Sequence, residues 1–261
     1  MKIATFNVNS INARLPRILE WFDAAAPDVA VLQEIKCVDE KFPAADFEDR
    51  GYNVAVHGQK TYNGVALLSK HPVEDIVRGL PGDRDDDQAR YIEGLVCPED
   101  AGPVRVGGLY LPNGNPAPGP KYDYKLKWMK RLKKRAETLL RDEEAFVLAG
   151  DYNVIPQAED VYDPAAWAED ALFLPQTRAA FREILHLGLT DAVRQADPAG
   201  VRYTFWDYQR GAWEKDHGIR IDHLLLSPQA ADRFQNAGVD RKERGKEKPS
   251  DHVPVWVELS S

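Results

Sequence analysis

Only two cysteines, Cys37 and Cys97, occur in 261 residues. That is too few for a disulfide framework, and their separation lacks the paired spacing of a zinc site, so a reducing cytoplasmic setting is expected. No apolar run approaches the length of a membrane span, and no leader pattern precedes the strand-like opening "KIATFNV". A soluble monomer without membrane contact, folded as one domain over residues 1–261, is the expectation. A glycine-rich phosphate cradle of the P-loop kind is also missing, which argues against a nucleotide-driven transferase. Basic charge is in deficit: 34 Lys and Arg stand against 42 Asp and Glu, a net charge of −8. Nucleic-acid binders usually show the opposite balance.

That last exclusion weakens once the charges are located. Between Lys121 and Arg135 eight positions are Lys or Arg against one Asp, and Arg241 to Lys248 hold five basic residues against two acidic ones, while acid gathers at Asp83 to Asp87. Such runs most often serve as solvated helix faces. They permit a polyanionic partner without requiring one.

What is present is the composition of a globular α/β protein, 43% hydrophobic, with short apolar strand-like runs separated by amphipathic stretches. The stretch "EAFVLAGDYNV", Glu144 to Val154, concentrates the pattern. Phe146, Val147 and Leu148 suit a buried strand, Gly150 ends it, and Asp151 and Asn153, two residues apart, point to the same side of an extended chain. The same motif of apolar run followed by polar residues recurs. "KIATFNVNS" places Asn7 and Asn9 on one face at the end of its strand, "PDVAVLQE" ends in Glu34, "VRVGGLYLPNG" runs into Tyr110 and Asn113, and "IRIDHLLLS" carries Asp222 in an otherwise apolar strand. A carboxylate there requires a partner. His252, in "SDHVPVWVEL" beside Asp251, supplies a candidate, since an imidazole held by a buried carboxylate is an oriented acid, base or phosphate donor.

Helical spacing is expected through "RLPRILEWFDAAA", with Pro16 near its start, along Leu126, Met129, Leu132, Ala136, Leu139 and Leu140, and through "PQTRAAFREILHLGL". Between Tyr203 and Arg220, the aromatic residues Tyr203, Phe205, Trp206, Tyr208 and Trp213 interleave with Arg210, Lys215 and Arg220. Such a mixture suits nucleotide stacking and phosphate contact; for Tyr203 and Trp206 a hairpin packed on the core is the equal alternative. Oxygen donors without sulfur suit Mg²⁺, with Mn²⁺ as a substitute, better than zinc. A metal, carboxylates and one histidine are the equipment for hydrolysing a phosphodiester with water.

The ordered set "FNVNS", "LQEIK", "GVALLSK", "YLPNG", "GDYNV", "YTFWDY", "RIDHLLLS" and "SDHVPVWVEL" resembles the exodeoxyribonuclease III and abasic-site endonuclease family, within the endonuclease/exonuclease/phosphatase superfamily, from Met1 to about Leu259. The resemblance implies a four-layered α/β sandwich, two mixed β-sheets face to face with helices outside. It implies a nuclease acting on double-stranded DNA at abasic sites and 3′ ends. Glu34 would be the principal Mg²⁺ ligand, assisted by Asn7 and Asp251, with Asp151 and Asn153 as further ligands if two ions act. Asp151 would orient or deprotonate the attacking water, Asn153 would hold it, His252 oriented by Asp222 would stabilise phosphate charge, and Tyr110 would contact the phosphate. Asn113, Arg90, Lys121 and Trp206 would touch DNA, and Phe205, Ile219 and Ile221 would line the pocket for an extruded abasic sugar; Ile219 stands where eukaryotic relatives have Trp. Rival readings are a phosphoinositide or sphingomyelin phosphodiesterase of the same superfamily, and a non-catalytic DNA-binding scaffold.

Overall fold

The computed structural model describes residues 1–260. Its strands are Lys2–Asn7 (β1), Val29–Gln33 (β2), Asn53–His57 (β3), Val65–Ser69 (β4), Val73–Arg78 (β5), Tyr91–Val96 (β6), Val104–Tyr110 (β7), Phe146–Asp151 (β8), Thr190–Asp191 (β9), Asp222–Leu226 (β10), Phe234–Val239 (β11) and Val255–Leu259 (β12). The helices are Ile11–Ala25 (α1), Ala44–Glu48 (α2), Pro120–Arg141 (α3), Pro175–Leu185 (α4), Ala192–Ala196 (α5) and Pro228–Ala231 (α6). Two six-stranded sheets result, ordered β11-β12-β1-β2-β4-β3 and β5-β6-β7-β8-β10-β9. One parallel pair sits inside each, β1 with β2 and β7 with β8, and the other pairings are antiparallel. Both sheets are therefore mixed, as expected.

Alternation along the strands builds the layers. In β2, Val29 and Val31 face the other sheet and join Ile3, Leu67, Val106, Val147 and Leu224 in the inter-sheet core, whereas Ala30 and Leu32 turn outward to meet Ile18, Trp21 and Phe22 of α1. On the second sheet Phe146 and Leu148 face outward onto Trp128, Met129 and Leu132 of α3 and Phe181 of α4. Strands buried on both faces read as continuous apolar runs, which is why the central ones were legible. Gly150 is required by close approach, since a Cβ there would stand 2.0 Å from the Leu109 carbonyl oxygen of the neighbouring strand.

Three details depart from the sequence reading. Pro16 lies inside α1 at its sixth residue, where its missing N–H deletes a hydrogen bond; the helix is anchored instead by Ser10, whose side chain accepts from the Ala13 N–H, and by its buried face. Trp206 is fully buried, its indole N–H donating to Asp216 at 3.0 Å and its ring edge-on to Tyr203 and Trp213, so the expected DNA contact is a core residue. Arg220 is also buried, paired with Asp160 and Asp191 at 2.7 Å each, and is unavailable for phosphate.

Candidate active site

Strand ends from both sheets meet at one edge of the sandwich. From the first sheet come Asn7 at the end of β1 and Glu34 just past β2, the latter in the left-handed region at φ 52°. From the second come Tyr110 and Asp151, which are register partners at the ends of β7 and β8, and Asp222, which is paired with Asp151 across β10. His252 enters from the segment before β12 and is bridged to Phe205.

The side chains form one connected array. The Asn7 amide nitrogen donates to Glu34 Oε1 at 2.9 Å and to Asp151 Oδ2 at 3.0 Å. Its oxygen accepts from the Asn9 N–H. Asn7 thus spaces the two carboxylates. Asp222 holds His252 Nδ1 at 2.9 Å and takes a hydrogen bond from the Thr204 hydroxyl at 2.6 Å. The other ring nitrogen, Nε2, faces Asp151 Oδ2 at 3.6 Å.

Electrostatics separate the roles. Burial disfavours the charged imidazole, but the Asp222 and Asp151 carboxylates more than offset it, and His252 is held well above the ordinary histidine range. Burial pushes the Asp151 carboxyl up, against the pull of His252. Glu34 ends below its ordinary value: burial raises it, and hydrogen bonds from Asn7 and Lys36 overcome that. Burial and the neighbouring Glu34 and Asp151 charges keep the Tyr110 phenol neutral.

Among the described residues, one group of acidic and histidine side chains could share a metal ion, Glu34, Asp151 and His252, with donor atoms within 4.8 Å of one another. The donors fit a hard cation, with oxygens on Glu34 and Asp151 and an ionised Glu34. His252, favoured in its protonated form, fits a phosphate oxygen better than a cation. Asp251 lines the same cleft but accepts from Asn9 at 3.1 Å and stands outside that group. Asn153 sits at the cleft floor in the left-handed region, donating to the Leu111 carbonyl and accepting from Asn113 at 3.3 Å.

The cleft encloses about 310 Å³, with Phe205, Ile219, Ile221 and Leu172 as an apolar wall beside Glu34, Asp151 and His252. Beside it Asn113, Arg90 and Lys121 share a groove of about 340 Å³. There the Arg90 guanidinium lies 4.8 Å over the Tyr110 ring.

Sequence reasoning missed Lys125. It is fully buried, and its ammonium donates to the carbonyls of Pro112, Asn113 and Asn153 at 3.1, 3.1 and 2.6 Å, tying together the two loops that carry Asn113 and Asn153. Burial pulls it down to about 7. Nothing in the sequence separates it from its seven basic neighbours. Thr204 and Lys36 were missed as well, because each acts only through a partner distant in sequence.

The family model for the endonuclease/exonuclease/phosphatase family matches residues 4–252. This chain belongs to that family. Exodeoxyribonuclease III of Haemophilus influenzae is 35% identical over 267 residues, covering 99% of this chain and 100% of that protein. The chain is accordingly a phosphodiester hydrolase of the exodeoxyribonuclease III and AP endonuclease branch, and enzymes of this family are metal-dependent. Among solved structures, a 3′-5′ exonuclease from Neisseria meningitidis superposes with a TM-score of 0.95 at 40% identity, and an AP endonuclease from Archaeoglobus fulgidus with 0.94 at 37%, each covering 100% of both chains. The Neisseria protein, also described as a 3′ phosphatase, has been solved bound to a product DNA hairpin. Two mixed sheets with outer helices, expected of the family, are what this chain forms.

Proposed function

We propose that the protein is a Mg²⁺-dependent DNA repair nuclease, with Mn²⁺ as a substitute, that cuts the phosphodiester 5′ to abasic sites and removes nucleotides or blocking groups from 3′ ends of duplex DNA. The observation that carries this reading is the continuous array from Thr204 through Asp222, His252, Asp151 and Asn7 to Glu34, open to a cleft with an apolar wall. The DNA-bound Neisseria relative supports the choice of polymer over a lipid headgroup. A non-catalytic scaffold would have no need for this buried, costly set of charges.

The chain's own residues divide the work. Asp151, buried with Oδ2 3.6 Å from His252 Nε2, accepts the proton of a water lined up behind the phosphorus. His252, kept protonated by Asp222, donates to the phosphate oxygens as charge builds on them. Asn153 and Asn113 position the phosphate from the cleft floor, and Tyr110, a neutral phenol, contacts it from β7. The bond to the 3′ oxygen breaks, leaving a 3′-hydroxyl. Glu34 and Asp151 would hold the divalent cation, whose contribution is Lewis-acid stabilisation of that charge. Phe205, Ile219 and Ile221 would receive a sugar without a base, which is extruded more cheaply than an intact nucleotide.

A second reading, 3′-end processing without abasic-site cleavage, is favoured by the 40% identity to the Neisseria exonuclease and phosphatase. One assay separates the two: a duplex with a single abasic site and a duplex with a 3′-phosphate, each with Mg²⁺ and with EDTA. Cleavage of both in Mg²⁺ alone meets the proposal, cleavage of the second only selects the alternative, and activity in EDTA overturns the metal requirement.

A further inference from the structure

The apolar wall of the catalytic cleft has two sides. Phe205 and Ile219, bridged to each other, line the 310 Å³ cleft on one side and a second chamber of about 440 Å³ on the other. Trp167, Asp170 and Asp207 also line both. The chambers are thus compartments of one opening, and the second falls in the size range of ligand pockets.

The second chamber is built from flat surfaces. Tyr162 is held by the adjacent bridge between Val161 and Ile219 and by its N–H to the Gly218 carbonyl. Its ring stacks on His217 with centroids 4.3 Å apart and planes 3° from parallel. The aromatic rings of Tyr162, Trp167 and Phe205 line the chamber, together with the hydrogen-bonding groups of Gln209, Asp170 and Asp207. Two carboxylates against the single guanidinium of Arg210 make this a poor place for a phosphate. A planar, uncharged heterocycle with polar edges fits it, and stacking on aromatic faces tolerates any base.

We propose that this second chamber is the subsite for the nucleobase of an intact 3′-terminal nucleotide while the phosphate on that nucleotide's 5′ side lies against His252 and Asp151. The assignment rests on the nuclease reading and adds a division of substrates to it. Water adds to phosphorus, the bond to the 3′ oxygen of the preceding nucleotide breaks, that oxygen takes up a proton to become the new 3′-hydroxyl, and the released nucleotide keeps a 5′-phosphate. An abasic sugar or a 3′-phosphate lacks a base, so it uses the first chamber alone.

The test uses the full chain and two variants, Ala166→Phe, which fills the chamber from an exposed position, and Tyr162→Ala, which removes its flat wall. Removal of an ordinary 3′ nucleotide is expected to slow about tenfold or more in each, the size of one lost base stack, while release of phosphate from a 3′-phosphorylated duplex stays within about twofold. The second readout is turnover-free: a duplex ending in 3′-terminal 2-aminopurine, bound in EDTA with saturation followed by anisotropy, should change its fluorescence on binding the wild-type protein and not on binding either variant. An unchanged ratio of the two activities, or a variant that reproduces the wild-type fluorescence change, overturns the proposal. Wild-type protein inactive on both duplexes in Mg²⁺ would instead remove the nuclease reading, and the subsite with it.

Discussion

His252 Nδ1 lies 2.9 and 3.1 Å from the two oxygens of Asp222, so a single carboxylate grips one edge of the imidazole and leaves Nε2 as the edge that faces the cleft. Asp222 is itself fixed by the Thr204 hydroxyl and is almost wholly buried. Asp222→Asn keeps the shape and removes the charge that favours the imidazolium. Single-turnover cleavage is expected to fall at least about 10²-fold with little change in DNA affinity measured by anisotropy. Equal losses in both would make Asp222 a structural residue.

Glu34 tests the cation site independently of turnover. Glu34→Gln preserves volume and the hydrogen bond from Asn7 but lowers the charge. Mn²⁺ affinity, read by electron paramagnetic resonance, is expected to weaken at least about tenfold, since disturbing even the outer shell of a metal site costs about 10–100-fold. Affinity equal to that of the wild type would place the cation elsewhere.

The acidic net charge of −8 makes salt dependence a sharp test of local electrostatics. If Lys121 and Arg90 in the groove beside the site meet phosphates, neutralising about four phosphates sets a log–log slope of binding against salt near −4. Lys121→Ala should make that slope shallower by about one and leave the preference for damaged over intact duplex unchanged, because phosphate contacts position without specifying. Binding flat in salt would move the DNA path off this groove.

His223 makes a separable contribution to acid sensitivity. Burial first, then the adjacent Arg220, pull it down to about 4 from an ordinary 6.5, so the folded protein keeps it neutral where the unfolded chain has already taken up a proton. Its own contribution to stability therefore rises with pH between about 4 and 6.5, against the opposite trend of the raised Asp151 carboxyl. Descending through that window, this one group removes about 3 kcal/mol. Urea unfolding at a series of pH values should show a flatter dependence for His223→Gln than for the wild type, and identical slopes would assign the acid sensitivity to other groups.

The central strands, the helix stripes and the strand-end polar residues were all readable in one dimension. A short apolar run that gives way to polar residues specifies a buried strand and the place where it emerges, and that put Asn7, Glu34 and Asp151 at strand ends, while Asp222, read as interrupting an apolar strand, in fact opens β10. Local sequence could not say which side of a surface a residue would take. Trp206 reads like Phe205, yet the bridges of Phe205 to Ile219 and His252 leave Phe205 lining the cleft and send the next residue inward. Lys125 reads like any lysine on a basic helix, yet it is the one that reaches three loop carbonyls.

The sequence by itself determined the elements and the chemistry available at their ends. The Asp222–His252 pair could be anticipated from its chemistry, but the tertiary structure alone decided the meetings around it: Asn7 touches Asp151 across 144 residues, and Lys125 ties the loop of Asn113 to that of Asn153. The reason is physical. Strand formation depends on neighbours within a few residues, whereas the pairing of buried charges depends on the register and stacking of two whole sheets, set by the core between them.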